Sequence, residues 1–228
     1  MGSIIKFINA SKRYKLGDQT ISAIDNINIL VNQGEFISIV GPSGSGKSTI
    51  MNIIGGLDKL TDGSVIVDGY EISKLTDRAK SEYRNKKIGF IFQNFNLDNT
   101  LTALENVEMP LFYAGVRKVE RQAISKDALA IVGLEGRMNH RPSEMSGGQR
   151  QRVAVARAIV NSPKILLADE PTGNLDRKSG LMIFNLLRKI NNAGVTVVMV
   201  THNHRQAERT DRIVEISDGH VISDVYTK

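Results

Sequence analysis

Gly41-Pro42-Ser43-Gly44-Ser45-Gly46-Lys47-Ser48, with Thr49 next, match the pattern GxxxxGK(S/T) in full. Glycines at these spacings let successive backbone N–H groups wrap an anion. An ammonium such as that of Lys47 neutralises charge on the outer phosphates of a nucleotide, and a hydroxyl such as that of Ser48 can ligate Mg2+. The pattern carries this meaning only between a strand and a helix. Both flanks are present: Glu35-Phe36-Ile37-Ser38-Ile39-Val40 reads as a strand, and Thr49-Ile50-Met51-Asn52-Ile53-Ile54 as a helix.

Three further apolar runs end on residues that could act beside such a loop. Ile88-Gly89-Phe90-Ile91-Phe92 ends at Gln93, Lys164-Ile165-Leu166-Leu167-Ala168 at Asp169-Glu170, and Thr196-Val197-Val198-Met199-Val200-Thr201 at His202. Near-continuous apolar runs of this length suit parallel strands covered on both faces. Ligands of open α/β sheets gather at the carboxyl ends of the strands, so these residues are expected on one rim. There Asp169 can hold Mg2+ through water, and Glu170 can polarise a water towards a terminal phosphate. Gln93 can bond the metal's water or the attacking one, and His202 can contact the phosphate and orient the nucleophile. Singly, Gln93 also reads as a strand-end loop residue and His202 as a satisfied histidine beside a turn. His140, His204 and His220 have no comparable position and read as surface or packing residues.

Downstream lies Met145-Ser146-Gly147-Gly148-Gln149, after a Pro142-Ser143 turn and before the helical apolar pattern of Val153, Ala156, Ile159 and Val160. A polar, glycine-rich segment at a helix start offers N–H groups and a hydroxyl to an anion. Taken alone, it reads equally as a helix cap with Ser146 as the capping residue.

The 228 residues suffice for one domain or two closely joined lobes. A composition 41% hydrophobic and 24% charged is that of a soluble globular protein, and no apolar run exceeds strand length. The N-terminus lacks the apolar core of a secretion signal, so the chain is expected in the cytoplasm. Without cysteine there are no disulfides or thiolate metal sites. The net charge of +6 is scattered, and its densest stretch, residues 78–87, reads as a solvated helix face.

In order and spacing, the phosphate loop, Gln93, the 145–149 segment, Asp169-Glu170 and His202 resemble the ATP-binding cassette (ABC) ATPases over nearly the whole chain. RecA-like motors and nucleotide kinases share the loop and the acidic strand end but not the Ser-Gly-Gly-Gln element. The resemblance implies an ATPase that uses ATP and Mg2+. It assigns Lys47, Gln93, Glu170 and His202 to catalysis, residues 41–49 to ATP, and Ser48, Gln93 and (through water) Asp169 to the metal. It makes Tyr14 the aromatic that stacks on adenine, and Asn174-Leu175-Asp176 the loop that couples two active sites. Tyr14 also reads as an exposed strand-end aromatic, and Asp176 as an ordinary cap for the helix through Ile183, Leu186, Leu187 and Ile190. Two positions depart from the family pattern: Met145 stands where leucine is usual, and Asn203 where many relatives have aspartate. Met145 is similar enough in size and shape to keep the anchoring role.

Gly34-Glu35-Phe36, the 52–58 and 92–97 segments, Leu101-Thr102-Ala103-Leu104-Glu105-Asn106-Val107 and residues 168–176 resemble the MacB/LolD type, which is also similar to the FtsE cell-division ATPase. The fold implied is α/β, a P-loop NTPase of ABC type. Its mainly parallel core sheet is flanked by helices, with an antiparallel β layer from residues 4–8, 23–31 and 65–67. One domain, 1–228, divides into a nucleotide core, about 1–93 and 163–220, and a helical subdomain, about 94–162, carrying the signature. The resemblance further implies head-to-tail homodimerisation on ATP binding, with the signature reaching the partner's ATP. It implies an integral membrane permease docked near residues 93–110, and a place at the cytoplasmic face of the membrane. A regulatory ATPase of FtsE type, signalling through a membrane partner without moving cargo, is the alternative. A chromosome-organising ATPase would carry long heptad insertions before the signature; none is visible, and no nucleic-acid partner is expected.

Overall fold

Side chains alternate between two cores along the central strands. In the computed structural model, which describes residues 2–17 and 19–227, β1 spans Ser3–Leu16, β2 Gln19–Asn32 and β3 Phe36–Val40. Ile37 and Ile39 of β3 enter one core and Phe36 the other. The same division holds in β7 (Ile165–Asp169) and β8 (Thr196–Val200): Ile165, Leu167, Val198 and Val200 face one way, Leu166, Ala168, Val197 and Met199 the other. A strand buried on both faces has no solvent-facing side, which is why these runs are almost wholly apolar, with Ser38 and Thr196 as buried exceptions.

With β6 (Ile88–Ile91), β9 (Arg212–Ser217) and β10 (His220–Tyr226), they form a six-stranded sheet in the order β10-β9-β3-β8-β7-β6. It is parallel except for β10, which pairs antiparallel with β9 at the edge. A second, antiparallel sheet has the order β2-β1-β4-β5, where β4 is Asp62–Val67 and β5 Tyr70–Glu71. Helix α1 (Lys47–Ile54) lies between the sheets and packs Ile50, Met51, Ile53 and Ile54 into their shared core. The N-terminal strands run well beyond the apolar segments 4–8 and 23–31. Asn9 and Asn26 adopt left-handed backbone conformations at register shifts, which breaks the side-chain alternation that marks a strand.

The other face of the large sheet is covered by α3 (Ala103–Tyr113), α4 (Lys118–Ile131), α5 (Gly147–Ile159) and α6 (Arg177–Asn192). Their core is continuous with the strands: Val107, Leu129, Val153 and Phe184 cluster with Ile91, Leu166 and Ala168. The basic stretch 78–87 lies on α2 (Asp77–Lys87), whose outer face, with Arg78, Ser81, Glu82 and Lys86, is exposed, while its other face packs inward. Lys80 and Tyr83 are buried, the Tyr83 hydroxyl donates to Ile54 O at 2.6 Å, and Arg84 donates to Gly56 O at 3.1 Å. Of the charged residues in the stretch, Lys80 alone is buried, and the long basic side chains lay their stems on the protein while their tips reach water.

Candidate functional site

Strand register brings the reactive residues together. Ile39 pairs with Val200, Val200 with Asp169, and Ala168 with Ile91, so β3, β8, β7 and β6 end side by side. The ladder continues one step further: Thr201 N donates to Ile39 O at 3.2 Å and Glu170 N to Val200 O at 3.0 Å. The phosphate loop, His202, Glu170 and Gln93 therefore leave one rim on neighbouring strands.

The loop from Gly41 to Ser48 is fixed in its second half, at Ser45 and Gly46. Gly219 N, in the turn between β9 and β10, donates to Ser45 O at 3.2 Å. Gly46 adopts φ 104, and a Cβ there would lie 2.2 Å from Ala23 O, so only glycine fits. Among the described residues no side chain caps α1, which leaves its first-turn N–H groups facing the loop's hollow. Lys47 is buried, with Nζ donating to Pro42 O at 2.6 Å and Ser45 Oγ at 3.3 Å. Burial lowers its pKa, partly opposed by the Glu170 and Asp169 carboxylates. A cradle of backbone donors with a buried cation, the exposed Ser48 hydroxyl and a carboxylate across the rim fits a nucleotide polyphosphate with Mg2+.

Glu170 sits at φ 45, uncommon for a residue with a side chain. That turn carries its carboxylate to His202: Oε1 accepts from His202 N at 3.1 Å and lies 2.8 Å from Nδ1. Asp169 beside it is partly buried, and burial, then the neighbouring Glu170 charge, push its carboxyl above the usual range against the pull of Lys47. Gln93 meets Asn174 twice: its Nε2 donates to Asn174 Oδ1 at 3.4 Å, and Asn174 Nδ2 donates to Gln93 O at 3.2 Å. Asn203 caps the short helix α7 (His204–Ala207), accepting from Gln206 N at 3.3 Å.

The 145–149 segment starts α5 with a closed capping box. Ser146 Oγ accepts from Gln149 N at 3.3 Å, and Gln149 Oε1 accepts from Ser146 N at 2.8 Å. Met145 is buried as an anchor in the helical core. A Cβ on Gly147 would touch Leu175, and one on Gly148 would lie 2.8 Å from Ser179 Oγ on α6. Asp176 caps α6, accepting from Lys178 N and Ser179 N at 2.9 and 3.0 Å. The segment's neighbours are thus the 174–179 region, and none belongs to the phosphate loop. Tyr14 lies against Thr49, in the first turn of α1 next to the phosphate loop.

Residues the motifs did not single out complete the site. Tyr14 Oη donates to Asp58 at 2.5 Å, and Lys12 Nζ bonds the same carboxylate at 2.6 Å while lying 4.7 Å from the Tyr14 ring centre. Burial raises the Asp58 pKa, but these bonds outweigh it and leave the carboxyl below the usual range. Asp58 lies within the family-like 52–58 segment, yet nothing in its spacing points to Tyr14. A groove of about 800 Å3 opens between α2, α3 and α5, lined among others by Phe92, Asn96, Met109, Pro110, Tyr113 and Arg157.

The ABC transporter family profile matches residues 24–173. The chain is 48% identical over 221 residues to an uncharacterized ABC transporter ATP-binding protein of Thermotoga maritima, covering 97% of this chain and 94% of that one. It is 46% identical over 222 residues to the macrolide export ATP-binding/permease protein MacB of Mannheimia succiniciproducens, covering 97% of this chain but 34% of that longer protein. Among solved structures, the dimeric post-hydrolysis state of the ATP-binding cassette MJ0796 of Methanocaldococcus jannaschii, bound to ADP and Pi, is similar at TM-score 0.91 and 46% identity, covering 98% of this chain and 99% of that one.

Proposed function

The chain belongs to the ABC transporter family, and on that premise we propose that it is the ATP-hydrolysing subunit of a MacB/LolD-type transporter. The contact between Glu170 and His202 at adjoining strand ends, beside the phosphate loop, carries this reading. Backbone N–H groups of residues 41–49 and the Lys47 ammonium hold the ATP phosphates, and Tyr14 stacks on adenine. Ser48, Gln93 and, through water, Asp169 hold Mg2+, which when bound neutralises charge on the terminal phosphates. Glu170 takes a proton from the water that attacks the γ-phosphorus as the bond to the β–γ bridging oxygen breaks, giving ADP and phosphate. His202, held by Glu170, contacts the γ-phosphate and orients that water.

The Ser146-Gly147-Gly148-Gln149 element serves the ATP of a second chain, since its neighbours are Leu175 and Ser179 rather than its own phosphate loop. Asn174-Leu175-Asp176 then link the two sites, through the bonds between Asn174 and Gln93. The dimeric MJ0796 cassette supports head-to-tail pairing on ATP binding, and MacB, named for both an ATP-binding part and a permease, supports a membrane permease as partner. That permease docks around residues 93–110, where the groove between α2, α3 and α5 lies. No helix among the described residues is long and apolar enough to cross a membrane; the permease holds the chain at the cytoplasmic face. Residues 1–93 and 163–220 act as the nucleotide core, and 94–162 as the helical lobe.

The purified chain is expected to hydrolyse MgATP, and Glu170→Gln to lower turnover by on the order of 100-fold or more. Light scattering of that variant should show its mass double with ATP. A variant that stays monomeric at saturating ATP contradicts the reading.

A further inference from the structure

Helix α5 also grips the loop that carries Gln93. Arg157 donates to Phe95 O at 2.9 Å and to Asn96 O at 2.5 Å, the carbonyls of two successive non-glycine residues held at φ 62 and 49. The Arg150 guanidinium lies 5.1 Å from the centre of the Phe95 ring. Gln151, wholly buried, donates from Nε2 to Phe92 O at 3.3 Å and to Pro171 O at 2.7 Å. Those carbonyls belong to the residue just before Gln93 and the residue just after Glu170. A side-chain amide has two N–H groups on one nitrogen and can serve both carbonyls at once. The flipped amide would set oxygen against both carbonyls, which fixes the orientation. Its Oε1 has no hydrogen-bond partner among the described residues. Packing alone favours a leucine over a buried amide with an unsatisfied oxygen. What glutamine adds here is the double donation.

We propose that Gln151 is a positioning residue for hydrolysis, holding the backbone beside Gln93 and beside Glu170 in fixed register with the signature helix. The inference rests on the roles given to Gln93 and Glu170 above. Through Gln151, a second chain that engages Ser146 also bears on the two groups that handle the water and the metal.

Gln151→Leu keeps the approximate volume and removes both donations; Gln151→Glu keeps the shape and donates only when its carboxyl is neutral. Wild type and Glu170→Gln, assayed alongside, test the underlying reading separately: turnover in the first and its loss in the second uphold it whatever happens at position 151. Gln151→Leu is expected to bind ATP within about threefold of wild type while its turnover falls on the order of tenfold or more. In Gln151→Glu, turnover relative to wild type should recover in part as pH falls from about 8.5 to about 6.5, because a buried carboxyl takes up its proton above the usual range and its one O–H restores one of the two donations. A residue used only for packing would lower the melting temperature and leave turnover per folded molecule, and its pH profile, parallel to wild type. That result, or failure of both variants to fold, overturns the inference.

Discussion

Helices α1 and α5 both begin in a glycine- and serine-rich turn, yet the two turns are finished differently. At α1 the preceding residue is a left-handed glycine, no described side chain caps the first turn, and a buried lysine shares the hollow. At α5 the serine and glutamine satisfy each other in a capping box, and the glycines pack against α6 and the 174–175 turn. Donors left without partners in a fixed cradle can receive an anion from solution without first giving up a bond. Donors already closed in a cap are stable alone and open only to a ligand that outbids the 3.3 and 2.8 Å hydrogen bonds of the box. The contrast suits a phosphate loop that loads ATP by itself and a signature that waits for ATP held by another chain.

The harshest way to break the contrast is at the buried cation. Lys47→Ala is expected to weaken ATP binding about 100-fold or more, roughly 3 kcal/mol, in a titration with fluorescent nucleotide. Binding within a few-fold of wild type would remove the cradle assignment. A paired substitution sharpens it. Ser146→Ala loses a cap and should cost about 1 kcal/mol in urea unfolding. Ser48→Ala, at an exposed hydroxyl, should stay within about 0.5 kcal/mol yet weaken Mg2+-dependent ATP binding. Equal stability losses at the two serines would erase the difference between the helix ends.

The smallest effect is electrostatic. Burial and Glu170 raise the Asp169 carboxyl above its unfolded value of 3.8. The folded chain therefore holds that proton more tightly; the stabilisation is complete below the unfolded pKa and is lost as pH rises through the folded one. Ionised Asp169 thus costs stability at neutral pH. Asp169→Asn is expected to raise the melting temperature at pH ~7, a gain that vanishes in acid, while turnover falls. A lower melting temperature at neutral pH would contradict this.

Much of this arrangement was legible in the sequence, for physical reasons. Strands buried on both faces leave unbroken apolar runs, so β3, β6, β7 and β8 and the polar residues at their ends could be located, and parallel pairing then set those ends side by side. The cap at Ser146 was equally legible, because serine followed three residues later by glutamine is a local signal. The short or exposed strands β5 and β10 were not. Their best cues, Asp68-Gly69 and Asp218-Gly219, are turns with both residues left-handed, and they mark the hairpin without giving the strand an apolar face. Gln151 was hidden because a polar residue in an amphipathic helix reads as solvent-facing. The tether from Asp58 to Tyr14 joins residues distant in sequence, and no local pattern encodes it.

The central claim is that the 145–149 segment completes an active site on a second chain. Ser146→Arg, combined with Glu170→Gln, places a bulky cation at the α5 turn and leaves the phosphate loop untouched. ATP affinity and ATP-dependent mass should be measured on the same sample, by titration and light scattering. Affinity within about twofold of the Glu170→Gln parent, with a mass that stays monomeric, is the expected result. An ATP-induced dimer as stable as the parent's would contradict the account and leave the segment a helix cap.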